Sequence, residues 1–156
     1  MKYKKFQDFI LESLRSQQLR VYSTFSSPLT RLAPVARWFS LNEDEAKMYH
    51  QLSLRESDIA YTYEFKINAK IANFIDTEEI ADDNDIDYYD FVADMVSNPS
   101  ANEVKNNQMV KILQKMGYEG VYLSDYHPEN PQKDITTLML FDAKKSTISF
   151  RLKFEN

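Results

Sequence analysis

The stretch "RWFSLNEDEAKMYHQ", residues 37–51, passes from aromatic residues into a run with helical spacing. Trp38 and Phe39 favour extended backbone. Ser40 or Asn42 suits a helix N-cap, and Glu43, Asp44 and Glu45 fall where the positive end of the helix dipole favours carboxylates. Ala46, Tyr49 and His50 follow at helical intervals of zero, three and four, so they share one face. A strand thus leads directly into a short acidic helix.

Working outward, "LRVYSTF" (19–25) is rich in β-branched and aromatic residues and reads as a strand. "SSPLTRLAP" follows, where Pro28 and Pro34 break any long regular element. "IAYTYEFKINA" (59–69) alternates cleanly, with Ile59, Tyr61, Tyr63, Phe65 and Ile67 on one side and Ala60, Thr62, Glu64, Lys66 and Asn68 on the other. "IANFID" (71–76) reads as a continued extended segment after a bend. "YYDFVADMV" has helical spacing, and "NNQMVKILQKMGYEG" (106–120) predicts a helix stopped by Gly117 as its C′ residue. Gly120 leads into the strand "VYLSDY", and "HPENPQKD" reads as a polar loop. "ITTLMLFD" (135–142) and "STISFRLKF" (146–154) read as closing strands. Strands and helices in this order predict an α+β fold rather than a βαβ series.

The bulk composition sets outer bounds. At 156 residues, 43% hydrophobic and 28% charged, the chain suits one globular domain with a single substantial core. It has no cysteine, which removes disulfides, thiolate metal sites and a Cys nucleophile, and fits a reducing compartment. No apolar run approaches the roughly 20 residues a membrane span requires. A formal net charge of −5 disfavours general nucleic-acid backbone binding. With only two glycines, each has a specific reason to be where it is.

Residues 1–18, "MKYKKFQDFILESLRSQQ", place Phe6, Phe9, Ile10 and Leu14 at helical spacing behind a basic start. They predict an amphipathic helix ahead of a domain at 19–156. The segment also resembles the head-targeting N-termini of internal proteins from large tailed phages, with Ile10-Leu11-Glu12 as the cleavage-type tripeptide.

Several chemistries fail on spacing. Asp83, Asp85, Asp87 and Asp94 have the intervals of a calcium loop, but Tyr88 stands where that loop needs glycine. His50 and His127 have no further ligand at zinc spacing, so no metal is expected. There is no glycine-rich phosphate loop. The acidic run from Thr77 to Val96, without Lys or Arg, reads as a solvated surface.

Read in order, the strand with Tyr22-Ser23-Thr24, then "FSLNEDEAKMY", "GYEGVYL" and "LMLFDAKKSTI" resemble the ADP-ribosyltransferase-like proteins, especially the small ones of phages and mobile elements. The resemblance covers most of residues 19–149. It implies a split, mainly antiparallel two-sheet core with flanking helices, and NAD as substrate. Tyr49 would stack on nicotinamide, Ser40 would orient the ribose, and Arg20 would hold pyrophosphate or ribose. Tyr22, Ser23, Thr24 and Phe39 would line the walls of the site. Cleavage of the NAD glycosidic bond needs a carboxylate near the developing positive charge. The family's glutamate position falls at Thr136 or Thr137, which leaves Asp134 as the nearest acid. The family's first-strand histidine is replaced by Tyr22 or Ser23. The resemblance further implies a host macromolecule, foremost a protein, as acceptor of ADP-ribose in the host cytoplasm, after packaging in a phage head if residues 1–18 are an address. A competing expectation is an inactive module that binds and inhibits a host factor through its acidic 78–94 surface. A third is a structural internal head protein.

Overall fold

The structure is a computed structural model that describes residues 17–51, 59–97, 99–126, 134–143 and 148–155. The expected N-terminal helix over 1–18 and its cleavage-type tripeptide lie outside these residues except for Gln17 and Gln18, which are strand.

The alternation in 59–69 produces β3 (Tyr61–Ala69), which pairs antiparallel with β1 (Gln17–Phe25) along nine residues, from Gln17↔Ala69 to Phe25↔Tyr61. On its other edge β3 pairs with β7 (Ile148–Glu155), with a bulge between Thr62 and Tyr63. β2 (Arg37–Ser40) pairs along its whole length with β6 (Asp134–Leu140), which pairs in turn with β5 (Gly120–Tyr126). The short β4 (Ile71–Ala72) lies parallel to β5. The strand order is β4-β5-β6-β2-β1-β3-β7, a mixed sheet in which every other neighbouring pair is antiparallel.

This is one seven-stranded sheet where two were expected. Its halves, β4-β5-β6-β2 and β1-β3-β7, meet through one residue pair, Tyr22↔Ser40. They also share a core. Val21, Phe39, Phe65, Ile67, Leu138 and Leu140 are buried together on one face of the sheet. Leu32 is buried with them, from the connection between β1 and β2, and we refer to this as the loop face. Tyr63 on that face accepts a hydrogen bond on its hydroxyl from the Leu29 amide, at 2.8 Å.

The opposite face carries the helices. α1 (Glu43–Gln51) follows β2 and packs chiefly on β1. Asn42 caps it by accepting from the Glu45 amide at 2.8 Å. α2 (Phe74–Asp83), α3 (Tyr88–Val96), α4 (Ala101–Asn106) and α5 (Gln108–Lys115) build the second core. There Ile80, Phe91, Met95, Val110 and Leu113 meet Val121, Leu123 and Met139 of the sheet. Trp38 binds the two layers, donating its indole N–H to the Met95 carbonyl at 3.1 Å.

One local expectation needs correction. Residues 71–76 were expected to be extended, but only Ile71 and Ala72 are, because Asn73 caps a helix by accepting from the Asp76 amide. The helix expected over 106–120 is α5, Gln108–Lys115, and the helix before it, α4, was not expected. Asn107 is in the β region (φ −65°, ψ 130°), ending α4 and capping α5 through its side chain. Gly117 ends the helical segment in the left-handed region (φ 95°) that favours glycine. Gly120 has a steric reason: a Cβ there would lie 2.4 Å from the Met139 carbonyl oxygen on the neighbouring strand.

Candidate functional site

Residues directly opposite on paired strands point to the same face. The registers therefore place Thr137, Ser40, Tyr22, Glu64 and Arg151 in one line across β6, β2, β1, β3 and β7. Neighbours in such a line are about 4.5–5.5 Å apart. The line shares its face with Leu123, opposite Thr137, and so with the helical layer. One residue along each strand lie Leu138, Phe39, Val21 and Phe65, all buried on the loop face. A polar row thus crosses the middle of the sheet directly behind an apolar one.

The row is largely sealed. Ser40, Thr137 and Glu64 are 6%, 7% and 3% exposed, while the Arg151 side chain is 62% exposed. Glu64 is held at both oxygens. Oε1 accepts from Arg151 Nε at 3.2 Å and is ion-paired with Nη2 at 3.1 Å, and Oε2 accepts from the Tyr22 hydroxyl at 3.3 Å. Burial on its own would raise the Glu64 pKa. Arg151, the Tyr22 hydrogen bond, Arg20 and Lys153 together outweigh it and hold the carboxyl below its usual range. Burial also raises the Tyr22 pKa, and the Glu64 charge, its hydrogen bond and Glu43 add to this against the opposing pull of Arg20. The phenol therefore keeps its proton and the carboxyl loses its own. On the next rung the hydroxyls of Thr24 and Thr62 are 2.9 Å apart. The Thr137 hydroxyl is buried and has no hydrogen-bond partner among the described residues.

The seam at this row has a second property. β2 is paired with β6 through all four residues, and β1 with β3 through all nine, yet β1 and β2 pair only at Tyr22↔Ser40. Beyond that rung the inner edges of Ser23–Phe25 and Arg37–Phe39 have no ladder between them. Arg37 lies over the Phe25 ring, 5.3 Å from its centroid, and burial lowers its pKa.

The residues named from sequence fall in different places. Tyr22 and Ser40 are neighbours in the row, and Thr137, one of the two positions where the resemblance expects a carboxylate, completes it, while Thr136, the other, is opposite Ser124. Arg20 is exposed on the same face, two residues from Tyr22 and opposite Lys66. Thr24 is engaged with Thr62, while Ser23 is opposite Tyr63, on the loop face. Phe39 is a core residue, its ring centroid 4.9 Å from that of Phe65. Tyr49 lies in the last turn of α1, the helix packed on β1. Asp134 is exposed at the start of β6, opposite Tyr126 and three residues from Thr137. Sequence reasoning did not single out Glu64 or Arg151 as site residues. Its one signal was a carboxylate on the polar side of the alternation in 59–69.

The acidic run is built into helices. Asp87 caps α3, its Oδ1 accepting from the Tyr89 and Asp90 amides at 2.9 and 3.1 Å. A groove beside it is lined by Asp85, Asp90, Asp94, Asn107 and Gln108. Among the described residues no group of three or more His, Cys, Asp or Glu side chains is arranged to hold a metal ion. No helix among them is long and apolar enough to cross a membrane. Compared with protein-family models, curated proteins and solved structures, the chain matches none.

Proposed function

We propose that this chain is an ADP-ribosyltransferase-like protein that transfers ADP-ribose from NAD to a host macromolecule, foremost a protein. One observation carries the reading. Three stretches far apart in sequence, each named for its resemblance to that family, contribute adjacent residues to one row: Tyr22 from β1, Ser40 from β2 and Thr137 from β6. The row stands where the two halves of the single sheet share one residue pair. The unladdered edges beyond it offer backbone donors and acceptors of the kind a carboxamide such as that of nicotinamide needs. Ser40 and Tyr22 would face the ribose, Arg20 the pyrophosphate, and Tyr49 would stack on the nicotinamide ring.

Incubation with labelled NAD and host-cell lysate is expected to label a macromolecule. Tyr49→Ala and Ser40→Ala are expected to abolish the label while leaving the circular dichroism unchanged. An unmodified protein that neither binds nor consumes NAD would remove the proposal.

A second reading has its own observation. Glu78, Glu79, Asp82, Asp83, Asp85, Asp87, Asp90 and Asp94 are all exposed, and no Lys or Arg lies between Thr77 and Val96. Such a surface suits a basic partner. Capture of a basic host protein that is lost on neutralising Asp83, Asp85 and Asp94, with no NAD turnover, would favour the binding module. Asp87 is left out of that set because it caps α3.

A further inference from the structure

The formal charge of −5 is unevenly spread over the molecule. The exposed carboxylates of residues 78–94 lie on and between α2 and α3, helices that pack on β5 in one half of the sheet. The other half carries the opposite sign. On its helix-bearing face Arg20 of β1 stands opposite Lys66 of β3, and Lys66 opposite Ser149 of β7. Gln18 and Asn68 form the next row, and Arg151 is two residues along β7 from Ser149. All six are exposed. Lys153 is exposed at the β7 bulge, close enough for its charge to act on Glu64. Among the described residues Arg151 is ion-paired, to Glu64, while Arg20, Lys66 and Lys153 are in no ion pair. Glu43 of α1 borders the group at Tyr22.

We infer that this basic face of β1, β3 and β7 is a docking surface for the phosphate backbone of a single-stranded nucleic acid, bound without regard to base sequence. Docking of this kind needs neither NAD nor transfer chemistry. It is governed by charges within a Debye length of about 8 Å at physiological ionic strength, so the net charge of the chain does not decide it.

The chemistry of the face selects this occupant over an acidic protein. Protein interfaces centre on aromatic and apolar anchors and are poor in Lys. Among the described residues of these rows no large apolar side chain is exposed. Leu152, the exposed one on β7, is opposite Tyr63 and so on the loop face. Cations, side-chain amides and a hydroxyl are what phosphate and sugar oxygens accept hydrogen bonds from. Two strand spacings, about 10 Å, separate β1 from β7, and three unpaired cations neutralise about three phosphates. A flexible single strand can settle its phosphates on so small a patch, whereas a duplex holds them on a stiff helix.

The experiment titrates the full chain into a fluorescently labelled single-stranded oligothymidylate, read by anisotropy. Binding is expected at low salt, and with three phosphates neutralised log K falls against log salt with a slope of about −2. Lys66→Gln combined with Lys153→Gln removes two of the three cations, neither of which the NAD reading uses. This variant is expected to bind about tenfold to a hundredfold more weakly at low salt, with a slope near about −0.7. Both side chains are exposed, so circular dichroism is expected to stay unchanged. Arg151 is kept, because its loss would leave Glu64 buried without its cation. Asp83→Asn with Asp94→Asn is expected not to weaken binding. No binding by the unmodified chain at low salt, an affinity that ignores salt, or undiminished binding by the Lys66 and Lys153 variant would overturn the inference. Tighter binding of poly-glutamate than of the oligonucleotide would also overturn it, giving the face to an acidic protein. Labelling from NAD is a separate readout, and its failure leaves this result standing.

Discussion

Burying a threonine hydroxyl without a partner costs about 1–3 kcal/mol in desolvation, and Thr137 is in that position at the centre of the sheet. Thr137→Val removes the hydroxyl at nearly constant shape, so it is expected to stabilise the protein by about 1 kcal/mol. A shift of the urea midpoint at unchanged slope measures it. A loss of stability would mean that the hydroxyl is satisfied in solution. At this scale the sequence was legible where a residue sat inside a motif. Tyr22 and Ser40 were named that way, and Thr136 or Thr137 was noticed as the place where a carboxylate was missing. Glu64 was visible only as one polar residue in an alternating strand. What makes it notable is Arg151, 87 positions later, and no local pattern in 59–69 shows that β7 lies alongside.

Elements followed the same logic. β3 was clear because alternation with period two is a direct imprint of one buried face. α2 was missed because its cap, Asn73, comes directly after two strand residues, so Ile71–Asp76 looked continuous by composition. The break between α4 and α5 depends on one side chain: Asn107 Oδ1 accepts from the Val110 amide at 3.1 Å. Asn107→Ala leaves that first-turn amide without its acceptor and is expected to cost about 1 kcal/mol. Thermal unfolding followed by circular dichroism would read this as a lower Tm. No change would mean that another group caps α5. Asp87 shows a related point, since part of an acidic run that read as solvated surface is needed to start α3.

For the whole molecule, the question is what holds two half-sheets together when they share a single rung. The answer is the loop-face core, where Phe39 of one half meets Phe65 of the other at 4.9 Å. Phe39→Ala is expected to cost about 3–5 kcal/mol, since it opens a cavity where packing does the joining. Urea unfolding would show the midpoint shift. A loss below about 1 kcal/mol would mean that hydrogen bonding across the seam matters more than packing. The sequence marked β1, β2 and β6 as extended segments, but it did not show which strands pair or that they join as one sheet. That depends on contacts between residues distant in the chain.

β7 stands last in the strand order, and its register slips by one residue at the bulge opposite Thr62 and Tyr63. Arg151 and Lys153 are exposed there. A rim that is kinked and positively charged is a poor template for a second copy of itself. Fibril growth by strand-to-strand addition is thereby discouraged at this border of the sheet, and the bulge guards against self-association as well as fitting β7 to its neighbour.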